Sequence, residues 1–235
     1  MTTRQIVAMG GGGFSMEPDN PLLDDWLLGL AARERPRVCF VPTASGDSDG
    51  YVTKFYEAFA DKPCEPRHLS LFRRRTGDLR ALVLSQDIMY VGGGNTANML
   101  AVWRLHGLDA ILRDAWERGV VLCGLSAGSL CWFEGGVTDS FGRDLHALQD
   151  GLGLLEGSHC PHYDGEPERR PSYQRLVTDG TLPGGWAIDD GAAVRFEGTE
   201  VAEVVASRSE ARAYRVAAGD DGAIERPVHT RYLGG

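Results

Sequence analysis

Residues 120 to 128 read Val-Val-Leu-Cys-Gly-Leu-Ser-Ala-Gly, an apolar run that leads directly into a G-x-S-x-G sequence. The apolar run predicts a short buried strand, and the glycines on either side of Ser126 allow the sharp strand-to-helix turn of a nucleophile elbow. The N–H of Ala127 would lie at the start of the next helix, where backbone donors and the helix dipole stabilise an oxyanion. The stretch therefore predicts Ser126 as a nucleophile and Ala127 as an oxyanion-hole donor, against the alternative of an ordinary glycine-rich turn.

Similar apolar runs recur through the first two thirds of the chain and alternate with segments of helical spacing. We predict strands at 5–9, 37–41 and 87–91, and helices beginning at 21 and spanning 51–60, 96–103 and 108–117. Strands that are apolar on both faces and separated by helices indicate an α/β fold with a mostly parallel sheet. From 186 to 233 the sequence is rich in Val, Gly and alternating charge, which predicts antiparallel hairpins. Because no linker precedes them, we treat 1–235 as one domain.

A second glycine-rich loop, Val91-Gly-Gly-Gly-Asn-Thr96, also follows a predicted buried strand. Such a turn can direct free N–H groups towards a neighbouring strand end, which would supply the second half of an oxyanion hole. The alternative is a tight turn in which Thr96 caps the following helix, and both roles are compatible. We also place Asn95 of this loop among the substrate-binding residues.

A serine nucleophile needs a base and a group that orients the base. Of the six histidines, His162 stands out because Cys160-Pro-His-Tyr-Asp164 follows an apolar run and opens a polar loop, and His159 is its close competitor. Two acidic residues follow the nucleophile helix. Asp139 lies on a predicted loop and can orient an imidazole, whereas Glu134 can equally be a charge at a helix end.

Composition and charge indicate which kinds of molecule the protein is expected to bind. The formal net charge of −9 makes nucleic acid an unfavourable partner, because an acidic surface repels phosphate. No apolar run is long enough to span a bilayer, no leader-like segment begins the chain, and the five cysteines form no C-x-x-C pair. We therefore expect a cytoplasmic monomer or homodimer with no membrane partner. His159, Cys160, His162 and Asp164 resemble part of a zinc site, but no second cluster completes it, so we expect neither metal nor cofactor.

Taken together, the loop at 92–96, the G-x-S-x-G sequence at 124–128 and Cys160-Pro-His162 resemble the peptidase E family of serine peptidases. The resemblance covers about residues 1 to 180 and implies a three-layer α/β/α sandwich of the class I glutamine amidotransferase type, which is flavodoxin-like. It implies Ser126 as nucleophile, His162 as base, and an acid within Val137–Ser140, which favours Asp139. It also implies a glycine-rich oxyanion loop at Gly93 and Gly94 that acts together with Ala127. It also implies hydrolysis of short peptides with an N-terminal aspartate.

That substrate suggests further site residues beyond the triad. A bidentate arginine can bind the aspartyl carboxylate, and Arg169 and Arg170 both follow the His162 loop closely. Glu166 can meet the free amino group of the peptide. The alternative for this segment is a solvated helix start.

Three competing functions differ in their predicted residues. A glutaminase of the amidotransferase type normally carries cysteine where this chain has Ser126. An esterase of the α/β-hydrolase type would recruit the late His229 with Asp189 or Asp190 as its acid. A non-catalytic module for small ligands would keep the elbow without its chemistry.

Overall fold

The computed structural model describes residues 3 to 235, in which strands and helices alternate as far as β5 and strands predominate afterwards. The strands are β1 (Gln5–Met9), β2 (Arg37–Val41), β3 (Glu65–His68), β4 (Ile88–Val91), β5 (Val121–Leu125), β6 (Phe133–Thr138), β7 (His146–Leu148), β8 (Leu155–Cys160), β9 (Gly185–Ile188), β10 (Ala192–Glu197), β11 (Glu200–Ala206), β12 (Ala213–Gly219), β13 (Gly222–Val228) and β14 (Arg231–Tyr232). The helices are α1 (Gly13–Met16), α2 (Leu22–Leu28), α3 (Asp49–Phe59), α4 (Leu79–Leu84), α5 (Thr96–His106), α6 (Leu108–Glu117), α7 (Ala127–Leu130) and α8 (Arg169–Thr178), with a 3-10 turn at Thr43–Ser45.

The first sheet has eight strands in the order β14-β11-β10-β1-β5-β4-β2-β3. Strands β1, β5, β4, β2 and β3 run parallel to one another, whereas β10 pairs antiparallel with both β1 and β11. Parallel strands end at the same edge of a sheet, so the loops that follow β1, β4 and β5 meet at one edge. This edge receives the glycine-rich loops and the G-x-S-x-G turn.

Both faces of β1, β2, β4 and β5 are buried, and each face packs against its own set of helices. In β1, Ile6 and Ala8 belong to the apolar cluster that includes residues of α4, α5 and α6, and Val7 and Met9 to the one that includes residues of α1, α2 and α3. This division follows from the two-residue period of side chains along a strand. Burial of each large apolar side chain stabilises the fold by roughly 1.5–3 kcal/mol, so helices on both faces hold the sheet edge in place.

The second sheet has six strands in the order β13-β12-β9-β8-β6-β7. Strands β6, β8 and β9 are parallel to one another, and the outer pairs are antiparallel. The α/β class predicted from the sequence is confirmed. The sequence predicted one mostly parallel sheet, whereas the structure has two mixed sheets, and the first contains the five parallel strands. One apolar cluster contains residues of both sheets, including Ile6 of the first and Trp186 of the second.

Local patterns located several elements well. Helix α6 has the bounds predicted from the sequence, because Leu108, Leu112, Ala115 and Trp116 form a single buried stripe at helical spacing. Strand β3, which the sequence did not predict, reads Glu-Pro-Arg-His and pairs only with β2 at the edge of the sheet, where polar residues and proline are tolerated. Within residues 3–235 no helix has both the length and the apolar character needed to cross a bilayer.

Candidate active site

Ser126 stands on a sharp turn between β5 and α7, as the sequence predicted. Its backbone has a φ of 55° and a ψ of −118°, a conformation that costs free energy for a residue with a side chain. Gly124 and Gly128 permit the turn, because a Cβ on Gly124 would overlap the backbone of Gly128. Helix α7 has only four residues, so its dipole is small and stabilisation of an oxyanion would rest mainly on the Ala127 N–H itself.

The loop after β4 lies directly beside Ser126. A Cβ built on Gly93 would lie 3.3 Å from the Cβ of Ser126, which shows how closely the two backbones approach. The Gly93 N–H donates a hydrogen bond of 3.3 Å to the Tyr51 hydroxyl. In the part of the chain that the structure describes, the Gly94 and Ala127 amides donate no hydrogen bond to another protein group. Of the two predicted glycines, Gly94 is therefore the one with a free donor.

Asn95 has structural partners that the sequence did not reveal. Its side-chain oxygen accepts a hydrogen bond of 2.8 Å from the Asn98 N–H and so caps α5, and its amide group donates to the Ser140 carbonyl at 3.0 Å. The cap of α5 is therefore Asn95 and not Thr96, the residue that the sequence pattern suggested. Both ends of the Asn95 amide are engaged, and its predicted contact with substrate remains a prediction.

His162 follows β8 and forms a close pair with Asp190, which follows β9. The distance from His162 Nδ1 to Asp190 Oδ1 is 2.6 Å, and both side chains are about nine-tenths buried, with 12% and 9% exposed. An N–H on Nδ1 that donates to this carboxylate leaves Nε2 to accept a proton, which is the division of roles in a serine triad. The loop after His162 holds the acid in turn, because Asp164 accepts the Asp190 N–H at 2.8 Å. Gly165 packs against the same carboxylate, and any side chain there would overlap Asp190 Oδ2.

The end of β1 lies between Ser126 and the His162–Asp190 pair. On one side, the Ser126 N–H donates to the Met9 carbonyl at 3.3 Å. On the other side, Gly11 forms a bridge with Asp190, and a Cβ on Gly11 would lie 2.9 Å from His162 Nδ1. Two residues of extended chain span at most about 7 Å, so the serine and the histidine–carboxylate pair lie close together. The structure therefore brings the predicted Ser126 and His162 near each other, although they follow strands of different sheets.

The carboxylates predicted for the triad lie elsewhere. Asp139 is exposed beyond the end of β6 and makes no side-chain hydrogen bond among the described residues, so the proposal that it orients His162 needs correction. Glu134, its alternative, accepts the Gly157 N–H at 2.8 Å and links β6 to the start of β8. Asp190 occupies the position that we assigned to Asp139, because the contact depends on how β9 packs beside β8 and not on nearness in the chain.

The residues of the esterase alternative do not come together in this way. His229 is exposed after β13, and Asp190 pairs with His162 instead. Asp189 points to the second sheet, where it accepts the Arg212 N–H at 2.9 Å. Burial and the neighbouring charge of Asp164 together raise the pKa of Asp189 to about 6.

The two arginines at the start of α8 differ in their surroundings. Arg169 is buried, with hydrogen bonds to Glu166 at 2.7 Å and to the Val137 carbonyl at 2.9 Å. The two predicted substrate-binding residues Glu166 and Arg169 are therefore bonded to each other. Arg170 is 44% exposed in its side chain, lies over the Tyr163 ring at 4.6 Å, and pairs with Glu225 at 3.0 Å. The solvated helix start that we considered as the alternative is wrong for Arg169, which is buried, and describes only the exposed part of Arg170.

His159, the competitor for the role of base, is fully buried. Burial lowers the pKa of His159 to about 3, so its ring is neutral at physiological pH. Its two nitrogens bond to Ser129 and to the Trp186 carbonyl. Among residues 3–235 there is no group of three or more His, Cys, Asp and Glu side chains arranged to hold a metal ion.

A serine on a strained strand-to-helix turn, with a histidine–carboxylate pair beside it, is the arrangement of hydrolases that use a serine nucleophile. Comparison with known proteins supports a peptidase. The model for peptidase family S51 matches residues 6–204, and the chain belongs to this family. The resemblance to the peptidase E family that we inferred from three motifs is thereby confirmed.

Individual relatives support the assignment. The chain is 54% identical over 231 residues to uncharacterized peptidase YgaJ of Bacillus subtilis, covering 98% of this chain and 100% of that protein. It is 33% identical over 93 residues to peptidase E of Streptomyces coelicolor, which covers 40% of this chain and 37% of the relative. The crystal structure of a peptidase from an acI-B1 Actinobacterium has the same fold, with a TM-score of 0.66 at 18% identity over 97% of this chain and 95% of that one.

Proposed function

We propose that this peptidase is a serine-type dipeptidase or exopeptidase that hydrolyses short peptides through an acyl-enzyme on Ser126. The observation that carries the proposal is the His162–Asp190 pair, which lies across the Gly10–Gly11 segment from the strained Ser126. In this mechanism His162 Nε2 takes the hydroxyl proton as Ser126 attacks the scissile carbonyl. The resulting imidazolium gives its proton to the leaving amine, and a water molecule repeats the two steps to release the acid.

The oxyanion of the tetrahedral intermediate would be held by the Gly94 and Ala127 amides. Their lack of protein partners supports this role, whereas the Gly93 amide is already bonded to Tyr51. Asp190 would hold His162 in the Nδ1–H tautomer and stabilise the imidazolium by its charge. No step of this reaction calls for a metal or an organic cofactor.

We further propose a preference for an N-terminal aspartate, which is the specificity that the family resemblance implies. Arg170 is the better placed of the two predicted arginines, because its guanidinium is partly exposed and lies near the His162 loop through its contact with Tyr163. A planar guanidinium binds a carboxylate through two parallel hydrogen bonds, which suits an aspartyl side chain. We also infer that the parallel strands β1, β5, β4, β2 and β3, with the helices on their two faces, form the three-layer sandwich of class I glutamine amidotransferases. We infer that the chain is a single domain.

The test is hydrolysis of a panel of X-Leu dipeptides, including Asp-Leu, by the wild type and Ser126→Ala, together with labelling by a fluorophosphonate probe. Ser85→Ala is a matched control, because Ser85 ends α4 at the opposite edge of the sheet, just before β4. We expect Asp-Leu hydrolysis and labelling by the wild type and the control, and neither by Ser126→Ala.

Other results would separate the competing functions. Labelling of Ser126 without cleavage of any dipeptide would keep a serine hydrolase, such as an esterase or amidase, and reject the dipeptidase. A folded wild type that neither reacts with the probe nor cleaves a dipeptide would reject the nucleophile and favour a ligand-binding module.

A further inference from the structure

His159 is a buried histidine that the proposed mechanism does not use. It lies in β8, three residues before His162, with its ring stacked on Phe133 at a centroid distance of 5.0 Å. Nδ1 is 3.1 Å from the Trp186 carbonyl in β9, and Nε2 is 2.8 Å from the Ser129 hydroxyl in α7. Both ring nitrogens therefore have polar partners in an otherwise apolar interior, as a buried imidazole requires.

Ser129 lies between this histidine and the backbone of the nucleophile. Its hydroxyl oxygen is 2.8 Å from the Ser126 carbonyl, which also accepts the N–H groups of Ser129 at 3.0 Å and Leu130 at 2.9 Å. Ser126 has a positive φ, and a residue with a side chain keeps such a conformation only when its surroundings hold it there. The contacts around the Ser126 carbonyl are part of those surroundings.

The proton positions follow from the available acceptors. A neutral imidazole has one N–H, and the Trp186 carbonyl can only accept, so this N–H lies on Nδ1. Nε2 then accepts from the Ser129 hydroxyl, whose single proton has the Ser126 carbonyl as a second acceptor at the same distance. Removal of Ser129 Oγ would leave Nε2 buried without a partner.

The two sheets supply different parts of the site, and this network joins them. Ser126 ends a strand of the first sheet, whereas His162 and Asp190 follow strands β8 and β9 of the second sheet. His159 and Trp186 belong to those same two strands, three and four residues before the candidate base and acid. The hydrogen bonds from Trp186 through His159 to the Ser129 hydroxyl thus link the strands that carry the base and acid to α7, where the Ser129 N–H donates to the Ser126 carbonyl.

We propose that Ser129 and His159 are positioning residues that set Ser126 in register with His162 and Asp190. The inference rests on the proposed serine mechanism and deepens it. A displacement of reacting groups by about 1 Å can lower a rate by about a hundredfold, so loosening of this network should slow the attack by Ser126 while substrate binding changes little.

The decisive variant is Ser129→Ala, which removes one buried oxygen and adds no bulk. Its matched control is Ser158→Ala, because Ser158 is equally buried on β8 and has hydrogen bonds to Tyr173 at 2.8 Å and Pro183 at 2.5 Å, but has no contact with the elbow. We expect Ser129→Ala to lower both kcat and the rate of fluorophosphonate labelling about tenfold, with KM within about twofold of the wild type. Ser158→Ala should leave both rates within about twofold of the wild type, even if the melting temperature of this variant is lower.

Two substitutions of His159 test the same contact by a second route. His159→Gln places an amide oxygen near the position of Nε2, where it can accept from Ser129, whereas His159→Asn places its amide near Nδ1 and keeps only the Trp186 contact. We expect the labelling rate to be higher in His159→Gln than in His159→Asn. The Ser129→Ala and His159→Asn effects should also be non-additive in the double variant, because both remove the same interaction.

The outcomes separate this inference from the proposed function. Wild-type protein that fails to react with the probe would reject the serine mechanism itself. Wild-type protein that reacts, together with a folded Ser129→Ala that reacts at the same rate, would reject only the positioning role. An equal loss of rate in Ser158→Ala would also reject it, since general loosening of β8 would then explain the effect.

Discussion

Ser126 and His162 share an unusual backbone conformation. Within residues 3–235, three residues other than glycine have a positive φ, and these two are among them with values of 55° and 54°. Conformations of this kind occur where the surrounding structure holds a side chain in a required direction, and they concentrate at functional sites. Three glycines also shape the site, because each lets the backbone pass within contact distance of the serine or of the histidine–carboxylate pair. They are Gly11, Gly93 and Gly165.

Substitution of Asp190 tests which carboxylate orients His162. In Asp190→Asn the charge that stabilises the imidazolium is lost, and an amide in that position can favour the wrong tautomer. We expect kcat for Asp-Leu to fall by about 10³–10⁴-fold, with the protein still folded by circular dichroism. Asp139→Asn is the matched control, and its kcat should remain within about twofold of the wild type because Asp139 is exposed. Loss of activity in Asp139→Asn but not in Asp190→Asn would restore our first assignment.

Helix α8 places its first two arginines in different environments. Arg169 bonds to a β6 carbonyl in the interior, and Arg170 reaches across Tyr163 to Glu225 in β13. Adjacent residues on a helix point about 100° apart, so one faces the sheet while its neighbour lies at the surface. A helix start that is polar in sequence therefore combines a structural residue with a candidate for substrate binding.

Alanine substitution should separate these two roles. Arg169→Ala leaves the Val137 carbonyl without its buried donor, so we expect the free energy of unfolding in urea to fall by about 2 kcal/mol. Arg170→Ala should lower stability by less, about 1 kcal/mol, because its ion pair is partly exposed. Its main effect should be a rise in KM for Asp-Leu of about tenfold, with Ala-Leu unchanged. Arg170→Lys serves as the control that keeps the charge, and an unaltered preference for Asp-Leu in Arg170→Ala would remove this residue from substrate binding.

The stability of the whole molecule should depend on pH through Asp24. This carboxyl is 2% exposed in α2 and accepts a hydrogen bond from the Tyr90 hydroxyl in β4 at 3.2 Å. Burial raises its pKa to about 6 from the 3.8 of an exposed aspartate. Between about pH 4 and pH 6 the folded protein therefore keeps a proton that the unfolded chain has already released, and this difference lowers the stability as the pH rises through that range.

Asp24→Asn removes this titration and provides the comparison. A shift of about two pKa units corresponds to about 3 kcal/mol, so the wild type should lose about that much stability relative to Asp24→Asn between pH 4 and pH 6. Above pH 6 the difference between the two proteins should be constant. Urea unfolding across this pH range measures it, and parallel curves for the two proteins would show that Asp24 titrates normally.

Parts of the fold and of the site follow from local sequence patterns. The bounds of α6, the strands at 5–9 and 37–41, and the turn at Ser126 depend on residues that lie next to each other in the chain. Apolar periodicity and glycine spacing report such features directly, because they reflect which side chains face the interior and where the backbone must turn sharply. The same applies to His162, since it follows an apolar strand and opens a polar loop.

Other features depend on contacts between distant segments, and no local pattern records them. The division into two sheets, the pairing of Asp190 with His162 across 28 residues, and the buried position of Arg169 arise only when β8, β9 and α8 pack together. Asp190 did carry a signal, since it follows the apolar strand β9 as Ser126 follows β5, but several carboxylates follow strands in this chain. The choice among them is made by the packing of β9 beside β8, which places one carboxylate within hydrogen-bond distance of the imidazole and leaves Asp139 in solvent.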